Sequence, residues 1–288
     1  VNVIKAKKVY KGYKKPKHFD YNMLVIGAGS AGLVTAYISA AVKAKVALVE
    51  KNKMGGDCLN TGCVPSKAII KSAKVAHQMK NAHKYGLHSQ EPSFDFKQVM
   101  DRIHKVIADI EPHDSVERYT SLGVECIQGS AKIISPWEVE VNGKVYTSKN
   151  ITISTGASPF VPPIPGINDV SPLTSENLWE ITEQPKRLVV LGGGPIGCEM
   201  AQSFVRLGTE VTQVEMGDRI MSIEDPEVSE LIKQRFEEEG VKVLLNHEAV
   251  EFKIVDGEKR LIAKNKDGSV EIPFDEVLVA VGRKANIK

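Results

Sequence analysis

Two cysteines, Cys58 and Cys63, stand five positions apart in the run Gly55-Gly56-Asp57-Cys58-Leu59-Asn60-Thr61-Gly62-Cys63. On a turn entering a helix that begins near Ser66, such a pair can approach disulfide geometry. A helix N-terminus, together with Lys67, lowers a thiol pKa and makes a reactive thiolate. Two plainer readings stay open, half of a zinc site or a pair of inert core thiols. Zinc needs two further ligands at short spacing, and Cys126 and Cys198 do not form such a pair, so no metal site is expected. Those two read as buried hydrophobes, one in a strand and one in a helix. His77, His83 and His88 are likewise spaced poorly for a metal.

A second kind of chemistry is written in glycine. Gly27-Ala28-Gly29-Ser30-Ala31-Gly32 follows the apolar run Met23–Ile26 and opens a small-residue helix reaching about Val42. In a G-x-G-x-x-G loop the first glycine makes the tight turn, the second admits a pyrophosphate, and the third lets helix pack on strand. The helix N-terminus then offers N–H groups and partial positive charge to the phosphates. An acid must close the next strand to hold a ribose, and Glu50 stands 18 residues after Gly32, ending Val46–Val49. The pattern recurs. Gly192, Gly194 and Gly197, with Pro195 and Ile196 between them, follow Arg187–Leu191, and Glu215 stands 18 residues after Gly197. Two dinucleotides are implied. Glu215 favours NADH over NADPH, since a carboxylate repels a 2′-phosphate, although Arg219 lies close by.

The elements that must position these residues follow from periodicity. Helical patterns cover roughly Ser66–Lys84, Phe96–Thr120 and Pro226–Glu239, and another helix runs from the second glycine loop to about Leu207. Short alternating runs fill Val124–Ser154, with Asn142-Gly143 marking a hairpin turn. Strands are expected at Glu210–Glu215 and Val277–Val281. Pro159–Gly166 holds four of the fourteen prolines and reads as a crossing between domains. The fold class is therefore α/β, with two Rossmann-like three-layer nucleotide-binding domains.

Composition agrees with a globular chain of about two domains: 288 residues, 42% hydrophobic and 26% charged, which excludes a disordered or collagen-like protein. Net charge is +2, and there is no whole-chain case for nucleic acid. Residues 1–20 carry seven lysines against Asp20. They read as a solvated linker or arm, or as a polybasic segment beside anionic lipid, where each lysine contributes about 1 kcal/mol. With no apolar run of spanning length and no signal peptide, a cytoplasmic location is expected. A first residue Val1 and an abrupt last residue Lys288 lead to the expectation of a fragment.

The run GGDCLNTGCVPSK, between GAGSAG and GGGPIGCE, resembles the FAD-dependent pyridine nucleotide-disulfide oxidoreductases, most closely their dihydrolipoamide dehydrogenase and mercuric reductase branch. The resemblance covers residues 22–288. It implies FAD held at its ADP half by Gly27, Gly29, Ser30, Ala31, Gly32 and Glu50, with Gly56 and Asp57 nearby and the backbone of Ala131 at the adenine. It implies NAD at Gly192, Gly194, Pro195, Ile196, Gly197 and Glu215. Gly156 and Gly282 match the segments where the chain leaves and re-enters the FAD domain. The implied domains are a basic arm 1–20, a first FAD segment 21–161, an inserted NAD(P) domain 162–282 and a return at 283–288. Cys63 would face the flavin, Cys58 would meet substrate, and Lys67 would lie by flavin N5 and pair with Glu199.

Three positions depart from the family. Asp57 replaces a common threonine, Pro195 stands where several relatives carry a tyrosine lid, and Ser66-Lys67 replaces the paired lysines of glutathione reductases. The implied function is transfer of hydride from NADH through FAD to the Cys58–Cys63 disulfide, and from there to an unidentified small-molecule or disulfide substrate. The rest of the FAD domain and the interface domain of a full-length homodimer would lie beyond Lys288, so this stretch alone would lack the usual dimer interface. The competing expectation is a nucleotide-binding redox module without turnover, tethered to a membrane domain upstream of Val1.

Overall fold

The computed structural model describes residues 12–287, so residues 1–11 of the expected basic arm lie outside the described residues. In chain order the elements are β1 (Tyr21–Ile26), α1 (Ser30–Ala41), β2 (Val46–Glu50), α2 (Gly56–Asn60), α3 (Cys63–Lys80), α4 (Phe96–Ile110) and α5 (Val116–Ser121). Then come β3 (Val124–Gln128), β4 (Ala131–Ser135), β5 (Glu138–Val141), β6 (Lys144–Ile153), β7 (Ala157–Pro159), β8 (Arg187–Leu191), α6 (Pro195–Arg206) and β9 (Glu210–Val214). The chain closes with α7 (Pro226–Glu238), β10 (Lys242–Leu244), β11 (Glu248–Val255), β12 (Glu258–Asn265), β13 (Gly268–Phe274), β14 (Glu276–Val279) and β15 (Arg283–Ala285).

Two helical expectations are corrected. The pattern over Phe96–Thr120 is not one helix: α4 stops at Ile110, a 3-10 turn follows over Glu111–Asp114, and α5 begins afresh. Pro112 has no N–H and its ring collides with the preceding turn, so the α-helix cannot run through it. Ser115 then caps α5, its side chain accepting from the Arg118 N–H at 3.2 Å. The pattern over Ser66–Lys84 begins earlier, with Cys63 as the first helical residue, and ends at Lys80. The Asn142-Gly143 turn forms as expected, with φ of 53° and 78° joining β5 to β6.

By compactness the chain divides into two units. One holds the described residues through Asn60, Ala108–Gly156 and those from Ala285; the other holds Thr61–Ile107 and Ala157–Lys284. In the first, the strand order is β3-β2-β1-β6-β5-β4, with β1 parallel to both β2 and β6. Alternate residues of β1 serve opposite faces, as period two requires. Val25 packs with Leu33 and Ala36 of α1, whereas Leu24 and Ile26 pack with Val139 and Val141 of β5.

The second unit repeats this plan. Its parallel sheet runs β10-β9-β8-β14 and its antiparallel sheet β11-β12-β13. Leu188 and Val190 face a helical layer, while Val189 and Leu191 face Phe252, Leu261 and Phe274 of the antiparallel sheet. The helical layer includes α3 and α4, because Ile69, Phe96 and Ile103 are buried in one cluster with Met200 and Phe204 of α6. Each such side chain removed from water contributes about 1.5–3 kcal/mol.

Arg187 pins the start of β8. Its guanidinium donates to Asp275 at 2.8 Å and to Glu258 at 2.7 Å. Partial burial would raise the Asp275 carboxyl, but its hydrogen bonds with Arg187 hold it below the usual range, and the same guanidinium lowers Glu258. The folded-state values therefore lie below the unfolded ones. Their stabilisation is present above the unfolded carboxylate pKa and is lost as pH falls through the lowered folded values. Asp275→Asn is expected to destabilise by under about 1 kcal/mol at pH 7, after allowing for solvent screening. It should also flatten the acid limb of a denaturation profile, which melts followed from pH 7 to pH 2 will show.

Candidate functional site

In the first unit the loop after β1 sits where the sheet switches direction, between β2 and β6, the place where open α/β sheets bind ligands. Gly27 has φ of +98°, and a Cβ there would lie 2.3 Å from the Ser154 carbonyl oxygen. A Cβ on Gly32 would meet the Gly27 oxygen at 1.7 Å, so helix and strand touch as the motif requires. Gly29 precedes α1 with no side-chain cap, and the first turn of α1, which contains Ser30 and Ala31, has no acid. Its N–H groups thus suit an anion. Gly56 lies against Gly29, with a Cβ only 2.6 Å from the Gly29 Cα. The Glu50 carboxylate accepts from the Ala28 N–H at 2.6 Å and the Asn52 N–H at 2.7 Å. Asp57 lies in the first turn of α2, and its Oδ2 is 4.0 Å from where a Gly156 Cβ would be. Ala131, half-buried, opens β4.

The second unit repeats the arrangement around a cavity of about 560 Å³, within the range of ligand sites. Gly192–Ile196, Glu215 and Gly282 line it. Gly192 has φ of +105°, and a Cβ there would strike the Ala280 carbonyl at 2.5 Å. A Cβ on Gly197 would strike the Gly192 oxygen at 2.3 Å, whereas one on Gly194 would meet nothing within 4 Å. That open backbone fits close approach by a phosphate. Pro195 takes the first position of α6, where its fixed φ suits the helix and its missing N–H costs nothing. The Glu215 carboxylate accepts from the N–H groups of Gly193 and Gly217.

Cys58 lies in α2 and is half-buried; Cys63 opens the 18-residue α3 and is exposed. The unit boundary falls between Asn60 and Thr61, within this motif. One turn beyond Cys63, Lys67 donates to Glu199 of α6 at 2.5 Å. With side chains 61% and 37% exposed, this pair adds about 0–1 kcal/mol to stability, so its interest is its charge rather than its strength. Cys198 is buried and its thiol is pushed up to about 11 by burial; Cys126 is only half-buried, its thiol also raised by burial. Among the described residues no group of three or more His, Cys, Asp or Glu is placed to hold a metal.

Two residues escaped sequence reasoning. Gln213 is fully buried in β9, and its Nε2 donates to the Gly192 carbonyl at 3.0 Å, steadying the glycine loop from beneath. A long amide side chain between the apolar partners Val211 and Val214 of the strand Glu-Val-Thr-Gln-Val was the available signal. Trp179, also buried, donates to the Thr61 carbonyl between the two cysteines, and nothing in the sequence pattern announces that contact.

Two glycine cradles of one design, each with an acid at the end of its second strand, define a two-nucleotide α/β protein. Residues 21–288 match the family model described as Pyridine nucleotide-disulphide oxidoreductase, and the chain belongs to that family. The family implies FAD and a nicotinamide nucleotide, and both cradles have the backbone such groups need. The chain is 35% identical over 270 residues to a mercuric reductase of Bacillus cereus, covering 93% of this chain and 42% of that protein. It is 36% identical over 275 residues to a dihydrolipoyl dehydrogenase of Acholeplasma laidlawii, covering 93% and 80%. The solved HOCl-induced flavoprotein disulfide reductase RclA from Escherichia coli superposes with a TM-score of 0.79 at 27% identity, covering 93% of this chain and 58% of that one. The chain spans about half the length of most of these relatives.

Proposed function

We propose that the whole protein is an FAD-dependent disulfide oxidoreductase that draws on NADH and reduces its acceptor through Cys58 and Cys63. The observation that carries this reading is the doubled glycine cradle with the cysteine motif beginning directly beside the first, at Gly56. Bound FAD supplies the link between two-electron hydride chemistry and thiol chemistry. In this reading residues 21–161 form a first FAD segment, 162–282 the nicotinamide-nucleotide domain, and 283 onward the return.

The chain's own residues orient and tune. The N-terminus of α3 favours the thiolate of Cys63 through its partial positive charge. Lys67 brings a cation to the same helix face, and Glu199 balances it. Cys58, in the preceding helix, is the thiol assigned to the acceptor.

Glu215 supports the NADH preference, since an acid closing the second strand of such a unit repels a 2′-phosphate. Glu215→Gln is expected to cut the ratio of NADH to NADPH affinity by roughly tenfold or more, since charged hydrogen bonds contribute about 1.5–3 kcal/mol. Titration by protein fluorescence quenching will measure it. The reading as a whole is tested by NADH-driven turnover of the full-length protein against lipoamide, Hg²⁺, glutathione disulfide and quinones. Turnover with one of them that needs Cys58 supports it, and thiol-independent turnover with all of them sinks it. Among the described residues no helix is long and apolar enough to cross a membrane, and no observation favours a tethered module without turnover.

A further inference from the structure

Trp179 lies in the 3-10 turn Leu178–Glu180 with only 5% of its surface exposed. Its Nε1–H is shared between the carbonyl of Ser175 and that of Thr61, each at 2.9 Å. The backbone that carries the indole, and Ser175 that accepts from it, are themselves tied down. His104 on α4 donates from Nε2 to the Trp179 carbonyl at 3.0 Å, and Arg283 donates to the Ser175 hydroxyl at 3.2 Å. Thr61 belongs to the short turn that separates α2, with Cys58, from α3, with Cys63. A buried indole N–H needs an acceptor, and here half of its bonding goes to a backbone oxygen inside the cysteine motif.

We infer that Trp179 is a positioning residue for the redox pair: through the Thr61 carbonyl it fixes the turn between the two cysteines and so favours closure of the Cys58–Cys63 disulfide. The inference rests on the redox reading above. Closure by glutathione disulfide removes two protons and two electrons from the thiols and forms one S–S bond. The glutathione S–S bond breaks and yields two glutathione thiols. An unfixed turn samples arrangements in which the sulfurs are apart, which lowers the effective concentration of one thiol at the other and disfavours closure.

Of the two tryptophans in these 288 residues, Trp137 and Trp179, only the second is replaced: suppression of a nonsense codon at position 179 of the full-length protein inserts a tryptophan analogue there alone. β-(3-Benzothienyl)alanine keeps the shape and replaces the N–H with sulfur. Full-length flavin-loaded protein with and without the analogue is equilibrated in glutathione buffers, and Cys58 and Cys63 are scored by alkylation and mass. The closure constant is expected to fall about three- to tenfold, the worth of one buried neutral hydrogen bond, or up to about 30 mV in potential. NADH affinity should stay within about twofold, which a general loosening of the unit would not allow. Trp179→Phe provides a second removal of the donor and should move the constant in the same direction. An unchanged constant in both variants, with normal closure in the parent, overturns this inference alone. Failure of the parent to close in any buffer overturns the redox reading and this inference with it.

Discussion

Cys63→Ser is expected to lower NADH-driven reduction of a disulfide acceptor by roughly 10³-fold or more, while leaving the fold intact. A hydroxyl cannot take part in thiol–disulfide exchange, and losing the reacting group of a concerted site removes most of its rate enhancement. Because Cys63 is exposed, its replacement should change stability by no more than about 0.5 kcal/mol. Activity loss and stability are thereby separable. The same variant should lose the long-wavelength absorption expected when a thiolate faces the flavin in NADH-reduced protein, and Cys58→Ser should retain it. Retention of that band in Cys63→Ser would reverse the roles assigned to the two cysteines.

Gly27→Ala is expected to destabilise the first unit by about 2–3 kcal/mol and to abolish tight FAD binding. Two penalties combine. The backbone at +98° is unfavourable for any residue with a Cβ, and the added carbon would lie 2.3 Å from the Ser154 oxygen. Relief requires the loop to move away from β6, and that movement displaces Gly29 and Ala28 from the N-terminus of α1. A drop of roughly 5–10 °C in the melting midpoint, with loss of co-purifying flavin, is the expected result. Gly194→Ala offers the contrast, since its Cβ would meet nothing within 4 Å of protein. It should leave stability nearly unchanged and weaken only nucleotide binding, which calorimetry and NADH titration will separate.

The glycine loops and their acids were legible because the motif is local: an apolar strand, a forced turn and a helix start lie in adjacent residues. The three-layer plan was legible for a related reason, since fully apolar strands demand cover on both faces. Other features were not. A helical pattern over Phe96–Thr120 conceals the break at Pro112, because the apolar period resumes on α5. The amphipathic faces of α3 and α4 announce burial, but their partner in the second unit is settled only by tertiary packing around Phe204. The start of α3 at Cys63 rather than Ser66 depends on the Thr61-Gly62 turn. The Trp179 contact with that turn uses a backbone carbonyl, which leaves no trace in side-chain type or spacing.

In the proposed function Cys58 and Cys63 receive the electrons that NADH delivers. Full-length protein, oxidised and flavin-loaded, should be titrated with NADH under argon, alkylated, and mapped by peptide mass. Two new thiols per flavin are expected, located at Cys58 and Cys63, with Cys126 and Cys198 unchanged. Flavin reduction with no new alkylation at Cys58 and Cys63 would contradict the proposed function.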